Sequence, residues 1–133
     1  MPTVVIAAAA IVRENALLVV RKRGAKFFTQ AGGKIEPNET PLEALMRELR
    51  EELSIDLKSE QATFMGVFRA AAANEPDHTV EAHNFLVNWH GEILIAAEIE
   101  TMEWLPLDLE PRIPIAPLLQ ETILPFLRKH HQI

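Results

Sequence analysis

The segment Gly33–Ile55 reads GKIEPNETPLEALMRELREELSI, and its second half predicts an amphipathic helix that has to pack on a sheet. Apolar side chains recur there at steps of three and four residues, which places them on one side of a helix. These positions are Leu42, Leu45, Met46, Leu49 and Leu53. The start of the helix is marked by Thr40 as N-cap, Pro41 in the first helical position and Glu43 in the third, the pattern of a capping box.

The other side of the same helix carries Glu48, Glu51 and Glu52. Three carboxylates on one helical face repel each other unless a cation lies between them. Oxygen ligands of this kind are those that divalent cations such as Mg²⁺ prefer. The spacing therefore predicts a metal site on the exposed face of the helix.

Strands are predicted on both sides of this helix, because runs rich in Val, Ile, Ala and Phe are bounded by turn residues. The expected strands are Thr3–Arg13, Ala16–Val20, Thr63–Ala71, Val80–Trp89 and Glu103–Leu105, and a closing helix is expected at Ile115–Arg128. Between the second strand and the first helix, Gly32-Gly33 permits a close backbone approach. We expect one domain over residues 1–133 of the α+β class, an α/β/α sandwich with a mixed central β-sheet between helices.

Composition limits the partners of such a domain. The formal charge of −6 comes from 13 basic and 19 acidic residues, which argues against a nucleic-acid partner. The chain has no cysteine, so disulfides, thiolate metal sites and a cysteine nucleophile are excluded. The apolar stretch from Val4 to Val12 is too short to cross a bilayer and lacks the basic start of a signal peptide. We therefore expect a cytoplasmic protein, monomeric or homodimeric, without a membrane partner.

The same segment resembles a known motif. Gly33, five residues, Glu39, seven residues, Arg47-Glu48-Leu49, one residue, Glu51-Glu52, one residue and Ser54-Ile55 are similar to the Nudix box, whose usual form has glycine where Ser54 stands. The layout of the rest of the chain is similar to that of MutT-type Nudix hydrolases. A long, gapped pattern of unlike residue types is a specific signal.

This resemblance implies hydrolysis of a pyrophosphate bond in a nucleoside di- or triphosphate, or a related nucleoside diphosphate derivative, with Mg²⁺ or Mn²⁺ as cofactor. It implies that Glu48, Glu51 and Glu52 bind the metal, with the backbone carbonyl of Gly33 as a further ligand. It also implies that Glu39 and Arg47 pair to support the box. Arg47 stands four residues after Glu43 as well, so ordinary pairing along the helix is an alternative.

The catalytic base is assigned by the resemblance to Glu98, which also becomes a metal ligand. Glu103-Trp104 resembles the start of a late strand in MutT-type proteins, and Glu98 lies at the matching distance before it. Glu48, and with it Glu52, stays a catalytic candidate within the box. Glu100 and Glu81 are further alternatives, and a solvated loop glutamate is the simpler interpretation of Glu98.

Candidates for substrate binding are cationic or aromatic. Lys34 follows Gly33 directly and is the best candidate for a phosphate contact. The basic run Arg21-Lys22-Arg23 offers further candidates, chiefly Arg21 and Arg23, and ordinary surface charge is the alternative for all four residues. Three aromatic residues and two amides are candidates for contacts to a base, although core packing or a solvated strand face would also explain them. They are Phe27, Phe28, Trp89, Asn84 and Asn88.

The sequence does not identify the nucleotide. There is no tyrosine of the kind carried by relatives that act on dinucleoside polyphosphates, and Pro76 comes too late after the box to suggest ADP-ribose. Ile113–Leu118 holds no asparagine of the kind that reads oxidised guanine. The alternative functions are a regulatory Nudix domain that binds a nucleotide without hydrolysing it, and an interaction module that keeps the box as a relic.

Overall fold

The computed structural model describes residues 2–130, so Met1 and residues 131–133 of the expected domain lie outside the described part. Within these residues, three strands precede the first helix, and three more strands lie between it and the last helix. The elements are β1 Thr3–Arg13, β2 Ala16–Lys22, β3 Ala31–Lys34, α1 Pro41–Leu53, β4 Ala62–Ala71, β5 Thr79–Val87, β6 Ile99–Pro106 and α2 Leu124–His130. A 3₁₀ turn at Ser59–Gln61 precedes β4, and a π-helical segment at Leu119–Ile123 leads into α2.

The strands form one mixed sheet in the order β4-β5-β1-β2-β6, and β3 pairs with β1. β1 runs parallel to β5 along most of its length, whereas its pairing with β3 and its short pairing with β2 are antiparallel. The central position of β1 places β3, and with it Gly32 and Gly33, beside the middle of the sheet. The predicted mixed central sheet is confirmed.

A helical layer covers each face of this sheet. Alternate β1 residues such as Ala7 and Ala9 pack with the leucines of α1 on one face. On the other face Ala10 joins Leu119 and other residues of the C-terminal helical segment. The alanines of β1 are almost fully buried, and their small side chains let both layers lie close to the strand. The predicted α/β/α sandwich is therefore confirmed.

The first helix begins as its sequence predicts. The Thr40 side chain accepts a hydrogen bond from the Glu43 backbone N–H, and the Glu43 side chain accepts one from the Thr40 backbone N–H. Glu43 is therefore engaged in the capping box. Its carboxylate is not among the hydrogen-bond or ion-pair partners of Arg47 within residues 2–130, so the alternative pairing of Arg47 with Glu43 is not supported.

Three elements differ clearly from the sequence prediction, and one of them is β6, which begins at Ile99 and not at Glu103. Ala31–Lys34 forms β3, although two glycines make a weak strand signal; a Cβ on Gly32 would overlap the Ala7 carbonyl oxygen of the paired strand. The closing helix starts later than predicted, because Ile115 forms a β-bridge with Phe28. It then continues through Pro125, and the wider π-helical turn lies directly before this proline, which has no N–H to donate.

The helix α1 ends at Ser54 in a left-handed conformation, with φ 59° and ψ 33°. Glycine adopts this conformation without the steric cost that a Cβ brings. The Ser54 hydroxyl donates a hydrogen bond of 3.1 Å to the Leu94 carbonyl, which partly compensates and ties the helix end to the segment before β6. Ser54 therefore fills the position of the usual glycine without changing how the helix ends.

We expect Ser54→Gly to raise the thermal unfolding midpoint by roughly 2–4 °C, because relief of the left-handed strain is worth about 1 kcal/mol and the exposed hydrogen bond less. Differential scanning calorimetry measures this shift. Ser59→Gly is the matched control, since Ser59 is exposed and its φ is negative. Glycine there only adds backbone freedom to the unfolded chain, so the folded protein should become less stable. A lower midpoint for Ser54→Gly would mean that the Leu94 contact outweighs the strain.

Candidate active site

The polar face of α1 meets the two glycines of β3. The Glu48 carboxylate lies so close to Gly33 that a Cβ on Gly33 would be 2.6 Å from its Cδ. The neighbouring Gly32 N–H donates a 3.1 Å hydrogen bond to Oε1 of Glu52. Glu52 is one helical turn after Glu48 and is 3 % exposed. Two carboxyl groups therefore converge on Gly32-Gly33. A side chain at Gly33 would have to displace the end of the flexible Glu48 side chain, whereas one at Gly32 would meet the Ala7 backbone.

The convergence changes the acid strength of Glu52. Burial, with a smaller contribution from the charge of Glu48, raises the pKa of Glu52 to about 8, although the hydrogen bond from Gly32 acts in the opposite direction. A buried carboxyl group beside a second one holds its proton unless a cation joins them. Carboxylate oxygens with a nearby backbone carbonyl suit Mg²⁺ or Mn²⁺, so these residues fit such an ion.

Arg47 organises the entrance to this site. Its Nε and Nη2 donate to Oε2 and Oε1 of Glu39 at 2.7 and 2.9 Å, a bidentate pair. The guanidinium of Arg47, helped by the Glu36 backbone N–H, lowers the pKa of Glu39 to about 2, and Glu39 in turn raises the pKa of Arg47. Nη2 also donates to the Lys34 carbonyl at 3.1 Å. These contacts support the role of Glu39 and Arg47 in bracing the loop between β3 and α1.

Two of the predicted metal ligands, Glu51 and Glu98, are exposed and paired with cations. Glu51 is 55 % exposed and contacts Arg47 Nη1 at 3.3 Å, while the same Nη1 is 2.7 Å from Oε2 of Glu48. Glu98 is 65 % exposed and its Oε1 lies 3.2 Å from Lys22 Nζ. Within residues 2–130 no three His, Asp or Glu side chains are clustered as a metal site. The structure thus brings Glu48 and Glu52 together beside Gly33. The metal-binding roles stay predictions for all five proposed ligands, which are Gly33, Glu48, Glu51, Glu52 and Glu98.

A segment before β6 connects Glu98 to the helix. The Ala96 N–H donates to the Glu52 carbonyl at 2.9 Å, and the Glu98 carbonyl accepts from the Arg23 N–H at 2.8 Å. Glu98 follows two residues after Ala96, whose N–H contacts the last turn of α1. The backbone around Glu98 is therefore held between the end of α1 and Arg23, and the Glu98 side chain is engaged with Lys22.

Lys22 is the cation of the basic run that sequence reasoning ranked below Arg21 and Arg23. Besides pairing with Glu98, its charge acts to lower the pKa of Glu52. Arg21 is engaged elsewhere, with Glu100 at 2.8 Å and the Ala25 carbonyl at 3.1 Å, and Arg23 is exposed. Alternation of side chains along a strand could have separated Lys22 from its two neighbours, had β2 been predicted to extend this far.

A cavity of about 300 Å³ adjoins the same two glycines. Apolar side chains of β1, including Ile6 and Ala8, line it together with Phe27. Its polar lining includes Lys22, Lys34, Thr29 and Gln30. The predicted cation Lys34 is thus at the cavity, whereas Arg21 and Arg23 do not line it.

The residues that were candidates for contacts to a base differ in their position relative to the cavity. Phe27 lines the cavity, but Phe28 is a core residue and Trp89 packs beside the α1 layer. Asn84 is fully buried and bonded to Gln30, whereas Asn88 lies beyond the end of β5 and is exposed. Gln30 was not predicted, because a glutamine before a glycine pair carries no distinctive sequence signal.

Comparison with known proteins gives consistent matches. The family model described as NUDIX domain matches residues 1–125. The chain is 41 % identical over 68 residues to an 8-oxo-dGTP diphosphatase of Proteus vulgaris, a match that covers 50 % of this chain and 56 % of that relative. It is 32 % identical over 123 residues to the CTP pyrophosphohydrolase of Escherichia coli (strain K12), covering 88 % of this chain and 86 % of the relative.

Among solved structures, the MutT NUDIX hydrolase from Burkholderia pseudomallei is similar at a TM-score of 0.71 and 28 % identity. That match covers 86 % of this chain and 91 % of the other. Among residues 2–130, no helix is both long and apolar enough to span a membrane.

Proposed function

This chain belongs to the NUDIX domain family and is an enzyme of the pyrophosphohydrolase type, and from this premise we propose that it hydrolyses a nucleoside triphosphate with Mg²⁺ or Mn²⁺. Water attacks a phosphorus atom, one P–O bond of the phosphoanhydride breaks, and a nucleoside monophosphate and pyrophosphate are released. The names of both relatives refer to nucleoside triphosphates, which supports this substrate class.

The observation that carries the proposal is the shared use of Gly32 and Gly33. On one side they receive the carboxyl groups of Glu52 and Glu48, and on the other they line the 300 Å³ cavity. A nucleoside in the cavity with its phosphates toward these glycines would lie beside both the carboxylates and Lys22 and Lys34. Lysine side chains balance the charge of a polyphosphate in a chain whose net charge is −6.

Glu48, Glu52 and the Gly33 carbonyl would hold the metal, with Glu51 and Glu98 completing the set once released from Arg47 and Lys22. A bound divalent cation supplies neutralisation and polarisation of the phosphoryl oxygens. The chain's own residues do the rest: Arg47 fixes the loop, and the lysines orient the phosphates. Lys22 also holds Glu98 at the edge of the site.

The enzyme is tested with a panel of individual nucleoside triphosphates and Mg²⁺, with nucleoside monophosphate and pyrophosphate quantified as products. We expect the two products in equal amounts. Release of orthophosphate would place the cleavage at a different bond. Binding without turnover of any member would support the regulatory alternative and contradict the proposal.

We propose Glu98 as the general base, and expect Glu98→Gln to lower kcat by roughly 10²-fold or more, with little change in the unfolding midpoint. Glutamine keeps the size of the side chain but cannot take a proton from water. Glu100→Gln is the matched control, because Glu100 is also a partly exposed glutamate paired with a cation of β2. Rates within twofold for both variants would assign the role to Glu48 or to no single side chain.

A further inference from the structure

A buried amide side chain, that of Gln30, lines the cavity, and a second one, that of Asn84, is bonded to it. Gln30 is 7 % exposed, and Asn84 is fully buried. Nε2 of Gln30 donates to the Ala9 carbonyl at 3.0 Å and to Oδ1 of Asn84 at 2.6 Å. Both hydrogens of the Gln30 amide are therefore committed, and its orientation is fixed.

Fixing the nitrogen leaves the Gln30 oxygen without a partner. Within residues 2–130, Oε1 of Gln30 and Nδ2 of Asn84 are buried and form no hydrogen bond. Exchanging the oxygen and nitrogen of Gln30 would set its carbonyl against the Ala9 carbonyl, so the assignment follows from the neighbours. A buried acceptor without a donor is costly, and a ligand that brings an N–H removes the cost.

The position of this acceptor suits the base of a nucleotide. In the sheet, Ala8 pairs with Asn84 on one side and with Gly32 on the other, so Asn84 and Gly32 are two strand spacings apart, about 10 Å. That separation leaves room for a sugar between phosphates at Gly32-Gly33 and a base at Gln30. The surrounding apolar residues, among them Ile6, Ala8 and Phe27, fit a flat heterocycle.

We propose that Gln30 is a specificity-determining residue whose Oε1 accepts a hydrogen bond from an exocyclic amino group of the nucleobase, and that Asn84 positions it. This inference rests on the proposed function. A base with a carbonyl at the same ring position sets oxygen against oxygen and is disfavoured. The substrate class is thus a nucleoside triphosphate with a 4-aminopyrimidine or 6-aminopurine base.

Matched pairs of substrates test this inference without knowledge of the preferred ring. CTP and UTP differ by amino and oxo groups on a pyrimidine, and ATP and ITP differ likewise on a purine. We expect kcat/KM to favour the amino member of at least one pair by roughly 10- to 100-fold, mostly through KM. Hydrolysis with no preference in either pair would overturn the role of Gln30 and leave the proposed function intact.

Gln30→Met keeps the length of the side chain but removes the acceptor, so we expect the amino-to-oxo ratio of kcat/KM to fall to about one. Gln61→Met makes the same change at a half-buried glutamine that does not line the cavity, and should leave the ratio unaltered. A ratio preserved in Gln30→Met would exclude Gln30 as the reader. If that variant does not fold, the wild-type ratios decide.

Absence of turnover for every nucleotide would contradict the proposed function instead. The shift of the unfolding midpoint by each of the four nucleotides then tests the inference by binding alone. We expect a larger shift with CTP than with UTP, or with ATP than with ITP. Equal shifts within both pairs would overturn it.

Discussion

Glu52→Gln is expected to lose nearly all metal-dependent hydrolysis while its fold remains intact. Glutamine retains the oxygen that accepts the 3.1 Å hydrogen bond from Gly32, so the contact between α1 and β3 is kept. It lacks the negative charge that a divalent cation needs from its ligand. Residues that only orient a metal ligand typically cost 10- to 100-fold when replaced, and loss of a ligand itself should exceed about 10²-fold.

The same substitution should change how stability depends on pH. In the folded protein the pKa of Glu52 is raised to about 8 from an ordinary value of 4.5, mainly by burial. Between these values the unfolded chain has already released a proton that the folded chain still holds. The free energy of unfolding of the metal-free protein therefore falls as pH rises through this window. Glutamine does not ionise, so the free energy of unfolding of the variant should not fall across this pH window.

The measurement is thermal unfolding in the presence of a chelator at pH 6 and pH 9, together with kcat/KM in Mg²⁺. We expect Glu52→Gln to unfold several degrees above the wild type at pH 9, and closer to it at pH 6. Glu60→Gln, an exposed glutamate outside the site, is the control and should alter neither activity nor the pH profile. Normal hydrolysis by Glu52→Gln, or an unchanged pH profile, would contradict the role given to this carboxyl group.

Elements with local signals were predictable from the sequence. The bounds of β1 and the capped start of α1 follow from a strand-forming run and a capping box, which act over a few neighbouring residues. β3 was missed because its stability comes from β1, which has to approach Gly32 more closely than any side chain would permit. A glycine pair in the sequence indicates an unusual backbone conformation or a close approach, but it does not identify the strand that comes close.

The residues of the site likewise divide into those with a local sequence signal and those whose role depends on tertiary contacts. The motif places Glu48 and Glu52 one helical turn apart, and the fold brings both to Gly33. Arg47 and Glu51 stand four residues apart on one helix, so their contact follows from spacing, whereas the contact of Glu98 with Lys22 joins distant segments and is not specified by the sequence. Gln30 became informative only when Ala9 and Asn84 were seen to occupy its nitrogen.

Arg47→Lys is expected to have the second large effect, although it keeps the charge. The guanidinium of Arg47 reaches both oxygens of Glu39, one oxygen of Glu48 and the Lys34 carbonyl at the same time. A lysine ammonium is a single point of charge and cannot span these partners. The loop between β3 and α1 would lose its brace, and Glu48 would lose its orientation at Gly33.

We therefore expect Arg47→Lys to lower kcat/KM by roughly 10- to 100-fold and to raise the Mg²⁺ concentration needed for half-maximal rate, because the variant disturbs the residues that orient a metal ligand. Arg50→Lys is the matched control, since Arg50 lies on the same helix and, among the described residues 2–130, its one ion pair is a long, exposed contact with Asp56 at 3.4 Å. Its kinetics and Mg²⁺ requirement should match the wild type. A lowered unfolding midpoint in Arg47→Lys with an unaltered Mg²⁺ requirement would mean that Arg47 stabilises the loop but does not position Glu48.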